Sequence, residues 1–109
     1  MTPDEFRRLA LALPEAVESE HMGHPDFRVR KKIFATLWPA DGYGVVKLTP
    51  EQQTIVTQAE PAMFVPVPGG WGRKGATRVL LATASESAVS AALAMAWRNN
   101  APQSLADPD

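Results

Sequence analysis

Apolar positions along this chain follow two different periods. Phe6, Leu9, Ala10 and Leu13 lie three and four residues apart, the spacing of one helix face. Ahead of them, Thr2-Pro3-Asp4-Glu5 offers a capping threonine, a proline where a missing N–H does no harm, and a glutamate placed to reach back. Pro14 stops the run, so the pattern predicts a helix over residues 3–13. The same device recurs at Thr49-Pro50-Glu51-Gln52 and predicts a second helix through Ile55 and Val56, ended by Pro61. A third helix starts between Thr83 and Glu86 and carries Val89, Ala92, Leu93, Ala96 and Trp97 as a buried stripe. Asn99-Asn100 and then Pro102 close it.

Between the first two helices the period shortens towards two. Val17 to Met22, Phe27 to Arg30, Ile33 to Trp38 and Gly44 to Leu48 are separated by Gly-His-Pro, Arg-Lys-Lys and Pro-Ala-Asp-Gly, and read as successive antiparallel strands. In that reading Phe27, Val29 and Ile33 face the core, while Arg28, Arg30 and Lys31 face water or a partner. Met63 to Val67 is strand-like but broken by Pro66 and followed by Pro68, which confines it to an edge or a loop. Thr77 to Ala82 is the last strand. The expected fold is a two-layer α+β domain, an antiparallel sheet of about five strands with three helices in the order α-β-β-β-β-α-β-α. One domain spans residues 1–100, and 101–109 form a flexible tail.

Composition narrows the options. With 109 residues, 45% of them hydrophobic, the chain is the size of one domain with a single core. It has no cysteine, so disulfides, thiolate metal sites and thiol nucleophiles are excluded. No apolar run is long enough for a membrane span, and the N-terminus lacks the features of a signal peptide, so a soluble, cytoplasmic protein without membrane contact is expected. The net charge of −1 is unlike that of a dedicated nucleic-acid binder. The charge is unevenly placed, however: residues 28–78 carry eight Lys/Arg against three Asp/Glu, and the remainder carries three against nine. Such segregation either makes a local positive field or is the solvated face of a sheet.

Candidate chemistry is sparse. Gly70-Trp71-Gly72-Arg73-Lys74-Gly75 matches the dinucleotide-binding G-x-G-x-x-G, but β-prone Ala76-Thr77-Arg78 follows it instead of a capped helix. A glycine-rich turn feeding the last strand is expected there, and no cofactor. Trp71 either folds back as a lid on the core or joins Arg73 and Lys74 in touching nucleic acid. His21 and His24 have a spacing that would suit metal binding on a helix, but Gly23 and Pro25 deny the helix, so no metal site is expected. His24 is expected to cap a turn through a backbone hydrogen bond. No nucleophile elbow or catalytic set stands out, and a non-enzymatic role follows.

The segments Gly23-His24-Pro25-Asp26-Phe27-Arg28-Val29, Lys32-Ile33-Phe34-Ala35, Val46-Lys47-Leu48, Gly72-Arg73-Lys74-Gly75 and Ala96-Trp97-Arg98 together resemble the MmcQ/YjbR-like family of small bacterial proteins over nearly the whole chain. The resemblance implies a two-layer α+β domain and the DNA binding for which the family is commonly labelled. It places His24, Phe27, Lys32, Lys47, Arg73 and Lys74 at matching positions and brings no catalytic residue. Members often carry a tryptophan directly after the glycine-rich turn; this chain has Ala76-Thr77 there and Trp71 earlier.

Three functions stay open on these grounds. The first is a nucleic-acid-binding module in which Arg30, Lys31, Lys32, Lys47, Arg73, Lys74 and Arg78 contact phosphates of DNA weakly and without sequence preference. The second is a protein-interaction module using the exposed sheet face or the edge near Met63 to Val67. The third is a small-ligand site near His24 and Trp71.

Overall fold

In the computed structural model, which describes residues 1–107, both threonine-proline starts form as capping boxes. In α1 (Pro3–Leu11) the Glu5 N–H donates to Thr2 Oγ1 at 3.1 Å and the Thr2 N–H to Glu5 Oε1 at 2.8 Å. α1 ends two residues before the predicted Leu13, which still packs against the core. The strands β1 (Val17–His21), β2 (His24–Val29), β3 (Lys32–Trp38) and β4 (Tyr43–Lys47) follow, with a 3-10 turn at Pro39–Asp41 before β4. Next come α2 (Pro50–Ala59), β5 (Phe64–Pro66), α3 (Gly70–Arg73), β6 (Ala76–Leu80), α4 (Glu86–Asn100) and α5 (Gln103–Ala106).

The six strands form one antiparallel sheet in the order β1-β2-β3-β4-β6-β5. β6 enters between β4 and β5, leaving proline-bearing β5 at the edge its composition demands. α1 and α4 cover one face. There Ala35, Leu37, Val46 and Val79 meet Phe6, Ala10, Ala92 and Leu93, all fully buried. Gly44 supplies a notch for the Phe6 ring, because a Cβ at that position would lie 2.6 Å from its carbons.

Three local expectations change. Phe27 pairs with Ala35 but Arg28 with Ile33, so Phe34 is an extra residue in β3. This bulge turns both Phe34 and Ala35 into the core and Ile33 away from it, onto the opposite face. The cap of α4 is Ser85, whose Oγ accepts from the Ala88 N–H at 3.3 Å, whereas Thr83 donates its hydroxyl to the Ala62 carbonyl. Beyond Asn100, where no element is predicted, α5 forms, Leu105 packs against the core and Arg98 pairs with Asp107 at 2.5 Å. Pro108 and Asp109 lie outside the described residues.

Strand side chains alternate between faces, so the burial of Leu37, Gly44, Val46 and Val79 sends Thr36, Trp38, Tyr43, Val45, Lys47 and Arg78 to the other side. α1 and α4 do not cover that side. Among the described residues no helix is long and apolar enough to cross a membrane.

Candidate functional site

The open face is organised by the β1–β2 hairpin. Met22 and Gly23, with φ of 53° and 85°, make a two-residue turn, so β2 starts at His24, earlier than the sequence pattern indicates. His24 therefore lies in a strand and does not cap a turn. Its ring packs on Trp38 with centroids 3.7 Å apart, and its Nδ1 is buried without a hydrogen-bond partner. Register sets Trp38 opposite Tyr43, with rings 5.9 Å apart, and Val45 opposite Arg78. The Arg78 guanidinium carbon sits 4.4 Å above the Tyr43 ring, its Nη2 donates to the Tyr43 hydroxyl at 3.4 Å, and its Nε is buried and unpartnered. Trp38 is oriented by its indole N–H, which donates to Thr36 Oγ1 at 3.0 Å. A continuous run of ring, ring, ring and guanidinium thus crosses four neighbouring strands. Its middle members, Trp38 and Tyr43, were not singled out from the sequence; the signal was their place on either side of the tight Pro39–Asp41 turn, in phase with Thr36 and Val45.

A cavity of about 250 Å³ opens over this run and extends past Val45 to Lys47 and Trp71. It shares Lys47, Trp71 and Ala76 with an adjoining hollow of about 510 Å³ that continues round the end of the sheet to Lys74 and Asn99. Trp71 is 71% exposed, so it is a wall of this groove and not a lid on the core. The segment that carries it is one turn of helix, α3, in place of a plain hairpin tip: the Lys74 N–H donates to the Gly70 carbonyl at 3.2 Å. Gln53 of α2 clamps it, its Nε2 donating at 2.9 Å to the carbonyls of both Gly72 and Ala76. The glycines serve this docking. A Cβ on Gly72 would come 1.6 Å from the Val67 carbonyl oxygen, and one on Gly75, at φ +111°, 2.0 Å from that of Leu48.

The cations divide into two sets. Arg30, expected to be free at a hairpin tip, is paired with Glu15 at 2.5 and 2.9 Å, and this bond holds the Glu15 carboxyl below the usual glutamate range. Arg28, expected to face water, grips fully buried Asp26 with two bonds of 2.9 and 3.0 Å, which raises its own pKa. Arg7, Arg8 and Arg98 also meet carboxylates. Lys31, Lys32, Lys47, Arg73, Lys74 and Arg78 have no carboxylate among the described residues within 4 Å. Register and the groove lining bring Lys47, Lys74 and Arg78 together, whereas Lys31, Lys32 and Arg73 line neither hollow, and Lys32, paired with core-facing Val29, points to the helix side. Lys47 ends β4 opposite Ala76, which α3 and Lys74 directly precede, and β3 begins with Lys32 at the same end of the sheet. β3 and β6 are two strand widths apart, about 10 Å. The groove is therefore aromatic at one end and cationic at the other. His21 and His24 stand edge to face at 6.4 Å, and no group of three or more residues with metal-ligating side chains gathers among the described residues.

The family model of YjbR matches residues 11–99, which contain all six strands and nearly all of α4. The chain belongs to the YjbR family. Its fold is similar to the crystal structure of Deinococcus radiodurans protein DR2400, a DUF419 domain. The TM-score is 0.71 at 19% identity, over 90% of this chain and 77% of that one. At that identity the likeness is one of fold. No curated protein matches the chain. The matched span of this YjbR-family chain includes every groove residue named above.

Proposed function

We propose that this YjbR-family chain is a non-enzymatic, cytoplasmic nucleic-acid-binding module that holds a single strand weakly, through phosphates more than base edges. The observation that carries the reading is the placing of Lys47, Lys74 and Arg78 along one groove, with Lys31 and Lys32 at the same end of the sheet, none of them with a carboxylate among the described residues within 4 Å. On a molecule of net charge −1, such a patch attracts phosphate locally while the rest of the surface repels it, which keeps affinity low. Exposed Trp71, on the same wall as Lys74, offers a face on which a base can stack whatever its identity. A strand lying along the groove meets both features at once; a duplex has its bases turned inward.

Binding of unrelated single-stranded oligonucleotides, followed by fluorescence anisotropy across a salt series, tests this reading. Neutralising about four phosphates gives a log–log salt slope of about −3. Combining Lys31→Glu with Lys74→Glu should weaken every sequence alike, by about tenfold or more at low salt. Absence of binding at low salt, or unchanged affinity in the double variant, overturns the proposal. Equal affinity for duplex removes its single-strand part.

A further inference from the structure

We infer that the cavity on the open face is a site for a nucleoside monophosphate, with its base against the aromatic end and its phosphate between Arg78 and Lys47. This goes beyond contact with strand phosphates and does not depend on it, since Lys31, Lys32 and Arg73 take no part. Two residues that line the cavity, His24 and Arg78, each hold a buried polar atom, Nδ1 and Nε, with no hydrogen-bond partner among the described residues. Leaving such groups unsatisfied costs about 1–3 kcal/mol each, so a molecule whose binding shifts these side chains enough to pair them gains what the empty site forgoes. Arg78 Nε–H is an obligatory donor and calls for an acceptor; His24 Nδ1 donates or accepts according to tautomer.

The charge pattern narrows the acceptor. Arg78 lies opposite Val45, and Lys47 lies two residues further along β4 on the same face, which makes the two cations diagonal neighbours. Their Cβ atoms are within about 8 Å, with the Arg78 guanidinium leaning onto Tyr43 and so bounding the gap on its aromatic side. With no carboxylate among the described residues within 4 Å of either, an anion seated between them is attracted by both, and a phosphate, at about −1.5 to −2, suits the pair. The other end of the cavity is walled by His24, Trp38 and Tyr43, with Ile33 and Val45 on its floor. Such walls favour a flat, weakly polar ring. A ligand that is planar at one end and doubly acidic at the other matches both ends. The main cavity, at about 250 Å³, lies near the lower end of small-molecule sites, about 300 Å³, and the adjoining hollow past Lys47 extends it. A free mononucleotide and the 5′ end of a strand both carry this base and phosphate; the chemistry is shared, and the test separates the two.

The probes are AMP, adenosine, ribose 5-phosphate, and one short oligonucleotide with and without a 5′-phosphate. The readouts are calorimetric titration and the indole N–H resonances of Trp38, Trp71 and Trp97. AMP should bind with a dissociation constant of about 1 mM or tighter and shift the Trp38 and Trp71 signals. Trp97 should stay still, because its N–H is held by the Pro14 carbonyl on the helix side. Arg78→Lys, which keeps the charge but loses the Nε–H and the planar fork, and Arg78→Met should each weaken AMP about tenfold or more. Arg8→Gln, remote from the groove, should leave it unchanged. Oligonucleotide binding that depends on the 5′-phosphate and outcompetes AMP identifies the strand end as the source; indifference to it identifies the free nucleotide. Adenosine or ribose 5-phosphate binding as well as AMP overturns the two-ended site, as does a Trp38 signal that AMP does not move. If that signal is unmoved while oligonucleotides still bind with a steep salt slope, only this inference falls. If AMP binds and strands do not, only the strand-binding proposal falls.

Discussion

Single side chains in this protein act through what they displace or neutralise. Gly75 lies at φ +111° with the Leu48 carbonyl 2.0 Å from the place a Cβ would take. Gly75→Ala should therefore cost about 3 kcal/mol or more, seen as a fall of well over about 10 °C in thermal midpoint; a fall of under a few degrees would show that α3 docks by other means. Glu15 illustrates charge. Its bond from Arg30 lowers its carboxyl pKa, and Glu5 is lowered likewise, chiefly by the Thr2 backbone N–H and hydroxyl that complete the α1 cap. A depressed folded-state pKa means that each contribution to stability is present above the unfolded value of about 4.3 and is lost as pH falls through the folded one. Carboxyl NMR titration should find Glu5 and Glu15 below the ordinary glutamate value. Arg30→Ala should move Glu15 upward and leave Glu5 in place; an unmoved Glu15 refutes the pairing.

Among the elements, the helices show how far local chemistry reaches. Both threonine-proline starts were legible because a capping box closes within four residues, whatever the rest of the chain does. α2 depends on its cap more than α1 or α4, for it contains no fully buried residue and is tied to the sheet through Gln53. Thr49→Ala should remove about 1 kcal/mol, and amide exchange in α2 and α3 should accelerate together, since Gln53 links them. Acceleration confined to α2 would contradict that coupling. The strands were legible in number and order to within one, but their ends were not. A Gly-His-Pro string reads as a turn, yet Met22 takes the positive φ that frees His24 for the strand. The bulge at Phe34 likewise has no signature in the alternation of Lys32 to Trp38; it appears only when β2 is set against β3. α3 was hidden by its glycines, which lower helix propensity but permit close docking.

For the whole molecule, the lesson is one of charge. The sequence contains a basic middle and acidic flanks, and from that split alone Arg30 and Lys31 look equivalent. Folding separates them, as Glu15 reaches Arg30 from fifteen residues away and Arg28 closes on Asp26. What survives unpaired among the described residues is a smaller set, three of which, Lys47, Lys74 and Arg78, line the groove, and the proposed salt dependence is a property of that set and not of net charge.

What the chain determined by itself was whatever physics acts over a few residues: the helix starts, the two periods, the edge status of the proline strand, and the apolar stripe of α4. Tertiary structure alone decided the groove. His24, Trp38, Tyr43 and Arg78 span more than fifty residues and meet because four strands pair in one particular register. Strand register rests on the joint burial of the opposite face, a sum over the whole core, and no local pattern carries that sum.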